Sequence, residues 1–145
     1  MKSAVFIGHG VCYNFPEERL KEILIENIKN GVTHFYSGGQ GDFDVLCART
    51  VYRLKERYPH IKNYLVIPYL SFNVFDKTIF DEIIFPDFLE KYHFKAAIPQ
   101  RNRYMVNCTD VAICYIQHGW GNAFKTFEYA TRKKLKIINI SNYYG

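Results

Sequence analysis

VTHFYSGGQGDFDVLCA, residues 32–48, changes its period halfway along. Val32 to Tyr36 is a β-branched and aromatic run of the kind that forms strands, and it stops at Ser37-Gly38-Gly39-Gln40-Gly41. Beyond it, Val45, Leu46, Ala48, Val51, Tyr52 and Leu54 recur at helical spacing, with Asp42 or a near neighbour as the expected cap. A strand that feeds a helix through a glycine-rich turn is one βα unit. The same alternation runs through the rest of the chain.

Upstream, Ala4 to Gly8 is a short continuous apolar run, as a strand buried on both faces requires. Pro16 and two glutamates open a helix carrying Leu20, Ile23, Leu24, Asn27 and Ile28, and Asn30-Gly31 stops it. Downstream, Ile61 to Ile67 reads as a strand halted by Pro68, and Glu82 to Phe85 as a shorter one. Between them Tyr69 to Asp81 is a long Phe-bearing loop, equally readable as a lid, a dimer contact or a pocket wall. Residues 87–99 read as loop with a helical turn at Phe88 to Tyr92. A helix over Gln100 to Cys108, a strand over Val111 to Ile116, a helix over Ala123 to Lys133 and a strand over Lys136 to Ile140 complete the series. This pattern predicts one α/β domain over 1–145, a three-layer sandwich whose mainly parallel sheet is covered by helices on both faces.

Composition narrows the classes. The 145 residues are 48% hydrophobic and 23% charged, which excludes a disordered tail or a low-complexity array. Aromatics reach 17%, and 19 Lys+Arg against 14 Asp+Glu leave a net charge of +5, a field that favours anionic partners. Cys12, Cys47, Cys108 and Cys114 have neither CxxC nor zinc-type spacing; the expectation is a reducing cytoplasmic setting, with no metal site and no cofactor. No stretch approaches the ~18 apolar residues of a membrane span, so no membrane partner is expected.

In a parallel sheet, ligands bind beyond the carboxyl ends of the strands, and there the glycines gather. In the turn Ser37-Gly38-Gly39-Gln40-Gly41-Asp42-Phe43-Asp44, glycines and a helix N-terminus suit a phosphate. A plain tight turn is the competing account. Asp44 would repel phosphate, so it reads as bonding a ribose hydroxyl, a base edge or the loop itself. The second turn is Gly119-Trp120-Gly121-Asn122, with Asn122 as N-cap, Trp120 either covering the sheet edge or stacking on a base, and Lys125 and Thr126 in the following first turn. Gly8-His9-Gly10 places a histidine at the same edge, as a hydrogen-bonding pocket residue ahead of a catalytic base. Arg101 and Arg103 open a helix, against the dipole rule, so an anion or carboxylates such as Asp110 or Asp87 should compensate. Arg132-Lys133-Lys134 at a helix end, and Lys21, Lys29, Lys55 and Arg57, read as structural or solvated.

Taken together, GHG at 8–10, FYSGGQGDFDVLCARTV at 35–51, KERYPHIK at 55–62, RNRYMVNCTDVAICY at 101–115 and GNAFKTFEYATRKK at 121–134 resemble the YpsA-like branch of the SLOG superfamily. That superfamily unites DprA-type DNA-processing proteins with the LOG phosphoribohydrolases. The resemblance implies a Rossmann-like sheet that binds nucleotides or nucleotide-derived molecules, often as a homo-oligomer. Gly10 departs from the usual GHR by removing a cation, and Asn122-Ala123 departs from the usual GGT. In LOG enzymes an Arg and a Glu serve cleavage of an N-glycosidic bond. Arg101 falls on the Arg position, but Thr126 falls on the Glu position, with Glu128 two residues on. A hydroxyl cannot replace a catalytic carboxylate.

The expected function is therefore binding of a nucleotide-derived small molecule, as a sensor or sequestering protein without strong catalysis. The alternative is a nucleoside monophosphate N-glycosidase, with Arg101 on the phosphate and Glu128 or His9 in acid–base roles. A second alternative, single-stranded nucleic-acid binding, rests on the net charge and the aromatics.

Overall fold

Strand β1 (Lys2–Gly8) sets the architecture, because its side chains are divided between two cores. Ala4 and Phe6 join one apolar cluster and Val5 and Ile7 the other, so β1 is buried on both faces as its unbroken apolar run predicts. The computed structural model describes residues 2–12 and 15–141. Their elements follow in order as α1 (Glu17–Lys29), β2 (Val32–Ser37), α2 (Asp42–Leu54), β3 (Lys62–Val66), β4 (Glu82–Ile84), α3 (Phe94–Asn107), β5 (Val111–Tyr115), α4 (Gly121–Arg132) and β6 (Lys136–Asn139). Single 3-10 turns at Lys77–Ile79 and Asp87–Lys91 flank β4.

All six strands are parallel, in the order β4-β3-β2-β1-β5-β6. Helices α1 and α2 supply the core on one face, through residues such as Leu20, Leu24, Cys47 and Val51. On the other face α3 and α4 do so, through Met105, Val106 and Ala130. The sheet is therefore a Rossmann-like α/β sandwich, fully parallel where a mainly parallel one was expected. From β1 the chain runs outward to β2, β3 and β4, then crosses back to β5 and β6 on the other side. That reversal opens a crevice between the carboxyl ends of β1 and β5.

Several boundaries differ from the sequence reading. Helix α3 begins at Phe94, six residues before the expected start, and carries Pro99 inside it. His93 caps it, its Nδ1 accepting from the Lys95 N–H at 3.4 Å. Pro99 costs one backbone bond in the second turn, and the buried Ala97, Arg101 and Met105 hold the helix through it. Arg101 and Arg103 thus lie in the body of a helix rather than at its positive end, and the dipole conflict disappears. Lys55, expected on a solvated face, pairs with Asp81. The other oxygen of Asp81 accepts from the Asn63 N–H at 2.7 Å, which ties the entry of β4 to β3 and α2. Cys47 and Cys114 are buried as small hydrophobes, and all four cysteines are free.

Candidate functional site

The crevice is a cavity of about 440 Å³. Its floor is the turn after β1, Gly8-His9-Gly10. One wall is the start of α2 with Gln40, Gly41 and Asp44, backed by Arg101 from α3. The opposite wall is His118, Trp120 and the start of α4 through Thr126.

The α2 wall is closed upon itself. Gly41 has φ of +91°, and a Cβ there would stand 2.6 Å from Gly10 Cα, so only glycine lets the two turns touch. The Asp42 N–H then donates to the Gly10 carbonyl at 2.8 Å. Asp42 is the first helical residue and Gly41 the N-cap, without any side-chain cap bond. The Asp42 carboxylate instead accepts from the Cys12 N–H at 3.3 Å. Asp44 turns back to accept from the Gln40 N–H at 3.4 Å, the loop-bonding option of the sequence reading. Burial pushes its carboxyl up to about 7, against the opposing pull of Arg101.

Arg101 is only 2% exposed. Its Nη1 donates to the carbonyls of Gly38 and Val66, each at 2.9 Å, Nη2 to Gln40 Oε1 at 3.1 Å and Nε to Asn102 Oδ1 at 2.8 Å. Burial lowers its pKa to about 10, which leaves it charged at neutral pH. Neither Asp110 nor Asp87 compensates it; Asp110 accepts from the Ser3 N–H. A Cβ at Gly38 would stand 2.8 Å from the guanidinium, so that glycine makes room for Arg101 rather than for a ligand. Ser37 is fully buried and Gly39 lies against Leu65, both behind the cavity wall.

The α4 wall is open. Trp120, not Asn122, is the N-cap; no side chain caps the helix and no acidic residue stands in its first turn. Asn122 lies inside the helix, where its carbonyl accepts from the Thr126 hydroxyl at 2.8 Å. Among the described residues, the leading N–H groups of α4 have no hydrogen-bond partner outside the helix. Above them the rings of His9, His118 and Trp120 form a column, with centroid spacings of 3.6 and 3.8 Å and planes within 19°. His9 is 8% exposed at the inner end and Trp120 70% exposed at the outer. Burial, then the neighbouring His118, lowers the His9 pKa.

The remaining candidates stand outside the cavity. Arg103 is exposed, its guanidinium over the Tyr129 ring at 4.8 Å. Gly119, Lys125 and Glu128 are exposed and do not line the cavity. The 69–81 loop does not line it either; Phe72 sits under Arg101, and Phe75 takes Arg49 of α2 over its ring. Sequence reasoning missed His118, Gln40 and Asn102. His118 is 109 residues from His9, so no local spacing joins them. The signal was that both follow the carboxyl ends of neighbouring strands, where Gly8 pairs with Tyr115. Among the described residues no cluster of three or more His, Cys, Asp or Glu could hold a metal ion, and no helix is long and apolar enough to cross a membrane.

The profile of the YspA SLOG family matches residues 6–141. No curated protein matches the chain by sequence. Among solved structures it is similar to DNA processing protein A from Helicobacter pylori, described for its single-stranded DNA binding mode, with TM-score 0.69, 15% identity, 99% of this chain and 67% of that one covered. It is also similar to DNA processing protein A from Streptococcus pneumoniae (TM-score 0.72, 15% identity, covering 99% of this chain and 51% of that one). A third is the structural-genomics target TM1055, with TM-score 0.61, 15% identity, and 94% and 72% coverage. At this identity the likeness is one of fold.

Proposed function

This chain belongs to the YspA SLOG family, and from that premise we propose that it binds a nucleotide-derived small molecule between β1 and β5. The phosphate lies at the N-terminus of α4 and the sugar faces Asp44. One observation carries the reading: the α4 turn presents uncapped N–H groups with no acidic residue in its first turn, while the α2 turn is filled by its own side chains. A helix N-terminus in that condition favours a negative group. The outer face of Trp120 is available to a base, its inner face being taken by His118. Binding without strong catalysis suits the lining, where Asp44 is the one carboxylate among the described residues and Glu128 stands outside.

The test is calorimetry against nucleoside monophosphates, NAD, ADP-ribose and cyclic nucleotides, each mixture then resolved by HPLC. Tight binding with the ligand recovered intact is the expected outcome. Release of free base or ribose phosphate would make the protein an N-glycosidase, and no binding across the panel would remove the reading. A second reading, single-stranded nucleic acid along the same edge, is favoured by the net charge of +5 and by the fold shared with DNA processing protein A. Its mark is affinity that falls steeply with salt.

A further inference from the structure

Two imidazoles lie face to face beside an opening that favours negative charge. His9 follows β1 directly, and His118 stands three residues beyond β5. His9 is more than nine-tenths buried and lines the cavity, yet its Nε2 has no hydrogen-bond partner among the described residues. His118 Nδ1 is also buried and without a partner among the described residues, in a ring that lines the same cavity. A buried polar atom without a partner is costly, and such atoms are usually satisfied by something that enters the site.

The stack limits the charge the pair can hold. Two imidazolium rings with centroids 3.6 Å apart would repel strongly, so the stack disfavours charging both rings at once. Burial and His118 both hold His9 toward its neutral form in the free protein. The other charged and titratable groups do not undo this. Asp44 and Arg101 stand on the opposite wall and are engaged with the Gln40 N–H and with backbone carbonyls. Behind His9, the Cys12 thiol donates to the His9 carbonyl, and Asp42 accepts from the Cys12 N–H. Helix α4 carries Lys125 and Glu128 near its start, both exposed and neither lining the cavity. No carboxylate among the described residues bonds either free ring nitrogen.

We propose that the His9–His118 pair makes anion capture proton-linked: a phosphate diester bound at the α4 N-terminus draws one proton from solvent onto the pair, so affinity rises as pH falls. This rests on the reading of the cavity as the site of a phosphate-bearing ligand. The phosphate supplies the opposite charge that both imidazoles lack and gives a free ring nitrogen a partner.

The experiment is titration calorimetry with ADP-ribose, whose diester phosphates keep their charges between about pH 6 and about pH 8. Buffers of different ionisation enthalpy report the protons taken up. Expected are uptake approaching one proton and affinity roughly tenfold tighter at the lower pH. Uptake should vanish in His9→Gln or His118→Gln and persist in His34→Gln, on β2 outside the cavity. NMR titration of the His9 and His118 rings in the unaltered protein, free and bound, reads the same event even if a variant fails to fold. Binding without uptake, or uptake unchanged in both cavity variants, overturns the inference and leaves the binding site standing. No binding at either pH overturns both.

Discussion

The two glycine-bearing turns after β2 and after β5 look alike in sequence and are finished oppositely. After β2, Asp44 folds back onto the Gln40 N–H, Asp42 donates its N–H to Gly10, and Arg101 fills the space beside Gly38. After β5 there is no acid in the first turn, no side-chain cap, and a column of rings alongside. Glycine content is therefore a poor guide to which helix N-terminus is left open. The acidic residues at 42 and 44 decide it, because one turn carries its own internal anion and the other does not.

The largest expected blow to this asymmetry is Arg101→Met. It strips the partner from the Gly38 and Val66 carbonyls and from Gln40, and should destabilise the fold by about 3–5 kcal/mol in chemical denaturation. A loss below about 1 kcal/mol would show that the guanidinium is not built into the wall. Next comes Gly39→Val. Gly39 has φ of +64° and Leu65 Cδ1 2.6 Å from the Cβ position, so about 2–4 kcal/mol of stability should be lost. A change that leaves stability intact would mean the turn is slack.

Asp44→Asn sharpens the contrast through pH. The folded carboxyl titrates at about 7, above the ~3.9 of an unfolded chain. Between those values the folded state holds a proton the unfolded state has lost, so the stability from Asp44 is full at about pH 4 and is withdrawn by about pH 7. Stability of the variant relative to the parent should therefore rise across that interval; a flat difference would mean that Asp44 stays ionised. The smallest effect is expected at the open turn. Trp120→Ala should leave stability nearly unchanged but weaken a base-bearing ligand by about 1–3 kcal/mol, and an unchanged affinity would remove Trp120 from the site.

The fold was legible because parallel strands buried on both faces must be continuously apolar, and Ala4 to Gly8 and Val111 to Ile116 are so. The start of α3 was hidden by Pro99, which reads as a boundary although burial of Ala97 and Arg101 carries the helix past it. The location of the cavity was legible from the topology rule for strand ends. Its inner workings were less so. Whether Arg101 reaches a ligand or backbone carbonyls depends on Gly38 and Val66, 63 and 35 residues away. The pairing of His9 with His118 depends on β1 and β5 being neighbours, a fact of sheet order that no short motif encodes.

Cys108, at the C-terminal end of α3, is the one exposed thiol. Cys47 and Cys114 are buried, and Cys12 is held back by burial that raises its thiol to about 11. Thiolate attack needs both access and ionisation. A limiting amount of maleimide dye at neutral pH should therefore label one position, outside the cavity lining, and turn the native chain into a fluorescent reporter without any engineered cysteine.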